Sequence, residues 1–146
     1  MKEHKHIGAY GILIENDEIL LIKKKGGPYD GKLDLPGGTI EFCEKPSDAL
    51  KRELLEEVGI TINDYELFDA DSIYLDWKHK DELERLHHIG IFFKIFSYSD
   101  EIKKEISIDD KNDDSMGAEF YEIKNLKEEQ LSEITILELK KLGYLK

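Results

Sequence analysis

A chain of 146 residues with 40% hydrophobic and 37% charged side chains holds enough material for one core under a densely charged surface, which excludes an unfolded polar polymer. Its net charge of −12 excludes broad, sequence-independent nucleic-acid binding, which needs clustered Lys and Arg to displace counterions. A lone cysteine, Cys43, excludes an internal disulfide, and no apolar run approaches the roughly 18 residues of a membrane span.

The opening MKEHKHIGAYG has no long apolar core of the kind that marks a signal peptide. With a single thiol, that makes the cytoplasm the expected location. No repeat and no Pro/Ser-rich linker interrupts the chain, so residues 1–146 are expected to form one domain. An acidic protein still binds an anionic substrate when a divalent cation lies between the two.

In chain order, residues 7–14 and 19–22 read as two strands around an Asn16-Asp17 turn. Lys23 to Lys32 is a polar loop containing Gly26, Gly27, Pro28 and Gly31. Residues 33–42 are short and extended, broken by Pro36-Gly37-Gly38. From Pro46 to Val58 the pattern turns helical: Pro46 suits a first turn and Gly59 suits the left-handed position after a helix. Ile60 and Ile62 begin a strand. Two longer strands are predicted over 71–78 and 86–98, separated by a charged turn at 80–85. Residues 102–115 form a charged loop with a short strand at Ile106 and Ile108, and 119–123 is a strand. Asn125 is expected to cap a final helix over roughly 127–142 that stops at Gly143. Strands mixed with two helices predict an α/β (α+β) sandwich in which helices cover a mixed sheet.

The helix over 46–58 carries the chemistry. At about 100° per residue, Glu56, Ala49, Glu53 and Glu57 share one arc, while Leu50, Leu54 and Val58 face the core. Arg52 flanks the acidic arc. Like charges at this spacing oppose one another, and acids sit badly near a helix C-terminus. A hard divalent cation such as Mg²⁺ or Mn²⁺ would resolve the conflict and bridge to phosphates. The plain alternative is a solvated acidic face in a Glu-rich chain.

The residues before the helix bear on that choice. Gly38 is followed after five residues by Glu44, and after seven more by Arg52-Glu53-Leu54-Leu55-Glu56-Glu57-Val58-Gly59-Ile60. This pattern over 38–60 resembles the box of the Nudix (MutT-like) hydrolase family at every defining position. The resemblance implies an α/β/α sandwich that hydrolyses a phosphoanhydride bond in a nucleoside diphosphate linked to another group, ADP-ribose or a noncanonical nucleoside triphosphate being examples. It implies that Glu53, Glu56 and Glu57 ligate Mg²⁺ or Mn²⁺, and that Gly37 and Gly38 bring backbone close to metal and phosphates. By the same resemblance Glu53 activates or orients the attacking water, and Arg52 orients a glutamate through a planar contact that Lys cannot copy. Glu44 is an anchor at the helix start, and Glu41 a further candidate in the same region. Many members place another acid ahead of a late aromatic strand. Asp114, six residues before Phe120, is the candidate here, with a solvated acidic loop as the plain reading. A homodimer is a family-based expectation, and neither nucleic acid nor membrane is an expected partner. Two other functions stand beside hydrolysis: a nucleotide-sensing module that does not cleave, and a diphosphate isomerase on the same scaffold.

Among the remaining residues, His87 and His88 adjoin on a strand and so face opposite sides, which disfavours joint chelation of zinc. One of them can face the substrate cleft. Trp77, Tyr74 and Tyr29 are candidates for stacking on a base, although aromatic strand residues more often serve the core. Lys23 to Lys25 and Lys32 are candidates to attract phosphate, with a solvated loop the plainer reading. Cys43 reads as inert.

Overall fold

The computed structural model describes residues 1–102 and 115–145. In chain order its elements are β1 (Lys2–Ile12), β2 (Ile14–Glu15), β3 (Glu18–Lys24), β4 (Leu33–Asp34), β5 (Gly37–Thr39), α1 (Pro46–Glu57), β6 (Thr61–His79), β7 (Glu82–Ser99), β8 (Ser115–Glu122) and α2 (Glu133–Lys141). One sheet runs β5-β1-β7-β6, with β1 and β7 parallel and its other pairs antiparallel. The second joins β2, β3 and β4, and β8 pairs with β3.

Alternation along the central strands sends successive side chains to opposite layers. Ala9 of β1 and Leu13 just after it, Leu20 and Ile22 of β3, and Phe93 and Ile95 of β7 join Ala49, Leu50 and Leu54 beneath α1. Tyr10 and Ile12, Ile19 and Leu21, and Phe92 join Ile134 and Leu139 of α2 on the other side. The result is the helix–sheet–helix sandwich expected from the sequence. Burying each of the fully enclosed residues Leu50 and Leu54 stabilises by about 2 kcal/mol.

Two-residue turns set the hairpins. Asn16 and Asp17 both take positive φ (51° and 63°), as do Lys80 and Asp81 (50° and 66°), the conformation that matches strand twist. The predicted six-residue turn at 80–85 therefore contracts to two residues. Residues 82–85 enter the ladder because their charges find cross-strand partners: Arg85 lies opposite Asp76 and bonds it at 2.7 and 3.0 Å. Both strands consequently run longer than expected from hydrophobicity alone.

Helix α1 begins as predicted, with Pro46 in the first turn, and ends where Gly59 at φ 83° donates back to Leu54 and Leu55. The final helix is a correction. It is capped by Ser132, whose hydroxyl receives the Thr135 amide, and spans only Glu133–Lys141. Asn125 instead donates to Glu122, and residues 123–125 and 128–130 form single 3₁₀ turns. The cause is a tie to the sheet: Leu131 bridges Leu33, and the Ser132 amide donates to the Leu33 carbonyl at 2.9 Å. A chain held in register there cannot already be helical. No helix among the described residues is long and apolar enough to cross a membrane. The expected short strand at Ile106 and Ile108 lies outside the described residues.

Candidate active site

The acidic stripe of α1 faces the turn between β4 and β5, and each carboxylate has a different environment. Glu57, 5% exposed, accepts a hydrogen bond from the Gly37 amide at 2.9 Å. Glu53 is part-buried and accepts from Arg52 Nη1 at 2.9 Å. Glu56 is largely exposed, 3.5 Å from the same nitrogen. The burial order follows the angular order on the helix, with Glu57 nearest the core arc and Glu56 furthest from it.

Arg52 organises the cluster. Its Nε and Nη2 grip Glu44 bidentately, both at 2.9 Å, and Nη2 also reaches the Thr39 carbonyl at 2.9 Å. Glu41 Oε1 stands 3.9 Å away. One planar cation thus ties the helix to the loop before it, which a lysine ammonium cannot do with fixed geometry. The Arg52 hydrogen bonds, with an amide bond from Glu41, lower the Glu44 carboxyl to about 2. Glu53 behaves oppositely: burial raises its carboxyl above the ordinary range, outweighing the opposing pull of Arg52.

The two glycines leave room for close approach. Gly37 takes φ 142°, and a Cβ there would overlap the Ala9 carbonyl and lie 2.7 Å from Tyr10 Cα. At Gly38 a Cβ would stand 2.7 Å from Glu53 Cδ. Lys24 at the end of β3 brings its ammonium 4.0 Å from Glu57 Oε2, with its side chain only 15% exposed. The plainer reading of this lysine as part of a solvated loop is thereby corrected: the strand extends two residues further than hydrophobicity suggested and carries Lys24 inward.

The donor set, all carboxylate and carbonyl oxygen, is of the type a hard divalent cation takes. Among the described residues no three His, Cys, Asp or Glu side chains stand together closely enough to hold a metal ion as they are. Glu53 and Glu56 are turned towards Arg52, and Glu57 towards the Gly37 amide. Arg52 therefore relieves part of the like-charge conflict that the sequence alone assigns to a metal. Asp114 lies outside the described residues.

Behind Gly37 lies a polar group that the sequence hinted at only in part. His88, 1% exposed, bonds Tyr10 Oη through Nε2 at 2.6 Å and Tyr29 Oη through Nδ1 at 2.7 Å. Burial drives its imidazole down to about 3, so it is neutral, with one nitrogen donating and the other accepting. Burial raises both phenols. His87, on the opposite face, is exposed. Tyr74 is 66% exposed beneath Arg85, and Trp77 packs by His79. Of the three aromatic candidates only Tyr29 is joined to this group. Spacing gave no signal that distant Tyr10, Tyr29 and His88 would meet.

The family model for the NUDIX domain matches residues 4–139. An ADP-ribose pyrophosphatase of Methanocaldococcus jannaschii is 32% identical over 123 residues, 84% of this chain and 65% of the relative. An 8-oxo-dGTP diphosphatase of Escherichia coli is 45% identical over 87 residues, 58% of this chain and 60% of the relative. The matched segments thus span a little under two thirds of those relatives' own lengths. A MutT NUDIX hydrolase from Burkholderia pseudomallei superposes with TM-score 0.72 at 22% identity, covering 95% of this chain and 98% of that one. A MutT protein from Methanosarcina mazei gives 0.67 at 19%, covering 98% and 96%. A match along nearly the whole chain places it in the NUDIX family.

Proposed function

We propose that the chain is a divalent-metal-dependent hydrolase that cleaves a phosphoanhydride bond in a nucleoside diphosphate derivative. The observation that carries this reading is the Arg52 hub, which joins Glu44, Glu53 and the Thr39 carbonyl beside Gly37 and Gly38, where any side chain would collide with β1 or with Glu53. Glu53, Glu56, Glu57 and the Gly37 carbonyl would hold Mg²⁺ or Mn²⁺. When bound, the ion neutralises the diphosphate and acidifies water.

The chain's own residues do the rest. Arg52 fixes the Glu53 carboxylate so that little reorganisation accompanies reaction. Glu53, its carboxyl raised by burial, would take the proton of the water that attacks phosphorus in line. One P–O bond forms from that water, the bridging P–O bond breaks, and the leaving phosphate carries the electron pair. Gly37 and Gly38 admit the phosphates to backbone distance, and Lys24 supplies positive charge on the Glu57 side. Glu41 and Asp114 remain candidates for phosphate or metal contact at the rim.

The relatives' names indicate two substrates, ADP-ribose and 8-oxo-dGTP. Incubation of the protein with each, with Mg²⁺ or Mn²⁺ and product analysis by mass spectrometry, is the test. AMP with ribose 5-phosphate, or 8-oxo-dGMP with pyrophosphate, is the expected outcome, abolished in Glu53→Gln and Glu57→Gln variants that melt normally. Undiminished turnover in Glu57→Gln would overturn the proposal. Binding without cleavage of any nucleotide would instead support a sensing module.

A further inference from the structure

Gly37 connects the two layers of the molecule through its backbone. On the α1 side its amide donates to Glu57 at 2.9 Å. On the other side it is pressed against β1, where a Cβ on Gly37 would overlap the Ala9 carbonyl and lie 2.9 Å from Tyr10 Cδ1. Tyr10 stands opposite Gly37 in the β1–β5 ladder, and its side chain joins the cluster beneath α2. The phenol therefore faces away from the glutamates, and what it touches of the acidic site is Gly37.

The Tyr10 ring is tightly enclosed. Beyond Gly37 it lies back over Gly8, where a Cβ would come within 2.7 Å of its Cζ, and the Phe92 ring likewise covers Gly90, the residue opposite Gly8 in β7. The two rings stack with centroids 5.8 Å apart. Stacking restrains the plane of a ring, whereas a hydrogen bond at its rim also fixes where in that plane it sits. That bond is made to His88 Nε2 at 2.6 Å, and His88 is held from its far side by Tyr29 Oη at 2.7 Å. All three residues are buried. They come from β1, β7 and the loop between β3 and β4, so three separate segments fix one phenol. Apolar side chains would fill the same space without the cost of desolvating polar groups. What the polar set adds is orientation.

We propose that Tyr10 and His88 are positioning residues for the Gly37–Glu57 corner of the acidic site: His88 holds the phenol, the phenol backs Gly37, and the Gly37 amide sets the Glu57 carboxylate. This rests on the hydrolase reading above, in which the Gly37 carbonyl and Glu57 would receive the metal ion. It deepens that reading by assigning part of the metal affinity to two residues in the opposite layer. Remote partners that orient a ligand contribute about 10–100-fold in metal affinity or activity.

The test uses Tyr10→Phe, which keeps the ring and removes its hydroxyl, together with His88→Leu, His88→Gln and a double variant carrying the Phe and Leu changes. One readout is the proton shift and exchange rate of the Gly37 amide in metal-free protein, measured by nitrogen-15 NMR. The other is the Mn²⁺ Kd, measured by electron paramagnetic resonance. In Tyr10→Phe and in His88→Leu the Gly37 amide should move upfield and exchange faster, and the Kd should rise by about tenfold. The double variant should be no worse than either single one, because both changes break the same bond. His88→Gln should restore both readouts. Ile134→Val, a change in the same buried layer away from this bond, should leave both at parental values whatever it does to the melting temperature. Tyr10→Phe preserves the shape of the layer, so it decides the matter even where His88→Leu fails to fold. A parental amide and Kd in Tyr10→Phe, or equal changes in Ile134→Val, would overturn the positioning role. A parent protein that takes up no Mn²⁺ would overturn the hydrolase reading instead, and the Gly37 amide would still decide the role of Tyr10.

Discussion

Gly38 and Glu53 occupy what is nearly one space: a methyl group on Gly38 would stand 2.7 Å from the Glu53 carboxyl carbon and 2.8 Å from its Oε2. The obstructing atoms belong to the end of a flexible side chain, so the fold can accept the methyl while the carboxylate cannot keep its place. Gly38→Ala is expected to lower kcat by about a hundredfold, as displacement of a reacting group by about 1 Å does. Its melting temperature should stay close to that of the parent. Thermal denaturation beside an activity assay separates the two effects, and a large loss of stability with activity intact contradicts this account.

Arg52→Lys keeps the charge and removes the fork. The expectation is a loss of about 10–100-fold in activity, the usual cost of removing a group that orients a metal ligand. The Glu44 carboxyl, held at about 2 by the Arg52 hydrogen bonds, should titrate closer to the ordinary carboxylate range. Carbon-13 NMR of labelled Glu reads that shift directly. A lysine variant with parental activity would mean that charge alone matters at this position.

The attachment of α2 should weaken in alkali. Glu138 is 1% exposed, and neither of its carboxyl oxygens has a hydrogen-bond partner among the described residues. The Lys141 ammonium stands 3.9 Å away but is committed to Asp69 and Asp71, each at 2.5 Å. Burial, then the Asp69 carboxylate, raises Glu138 from 4.5 to about 8. The folded state therefore binds more protons than the unfolded chain between those limits, and its stability falls as pH rises through them. Above pH 6.5, where His88 no longer titrates in either state, the melting temperature should decline towards pH 8. Glu138→Gln should flatten that decline, and equal slopes in the two proteins would discount the buried carboxyl.

The acid side is governed by a different residue. His88 is held neutral down to about 3 by burial, whereas in the unfolded chain it takes a proton near its ordinary 6.5. Here the unfolded state binds more protons, so stability is full above 6.5 and is lost progressively as pH falls towards 3. His88→Gln keeps hydrogen-bonding groups for Tyr10 and Tyr29 but cannot titrate. Its melting temperature should fall less steeply than the parent's between pH 6.5 and 4.

The extent to which sequence foretold structure varies with the range of the forces involved. Helix α1, its proline start and its glycine stop are local events, as is the Asn16-Asp17 turn, and they stand where expected. The helix α2 start was misplaced because Ser132 is selected by a tie to Leu33, almost a hundred residues earlier in the chain. Hydrophobicity undercounted β6 and β7, since an ion pair such as Asp76–Arg85 makes charged residues good ladder members. At the site, a fixed spacing on one helix and its preceding loop revealed Arg52, Glu44 and the three glutamates. Lys24, Thr39 and the Tyr10–His88–Tyr29 group come from separate strands and loops, and become neighbours only once the parallel pairing of β1 with β7 is known.

Two glycines facing each other in adjacent strands, each roofed by the aromatic ring two places along, leave that patch of sheet without slack. Neither Tyr10 nor Phe92 can swing aside without stripping the cover from backbone beneath it. Gly8 in β1 and Gly90 in β7 are the residues concerned, and a methyl group at either would have to displace a ring. Small size at two backbone positions is what lets the large rings lie flat there.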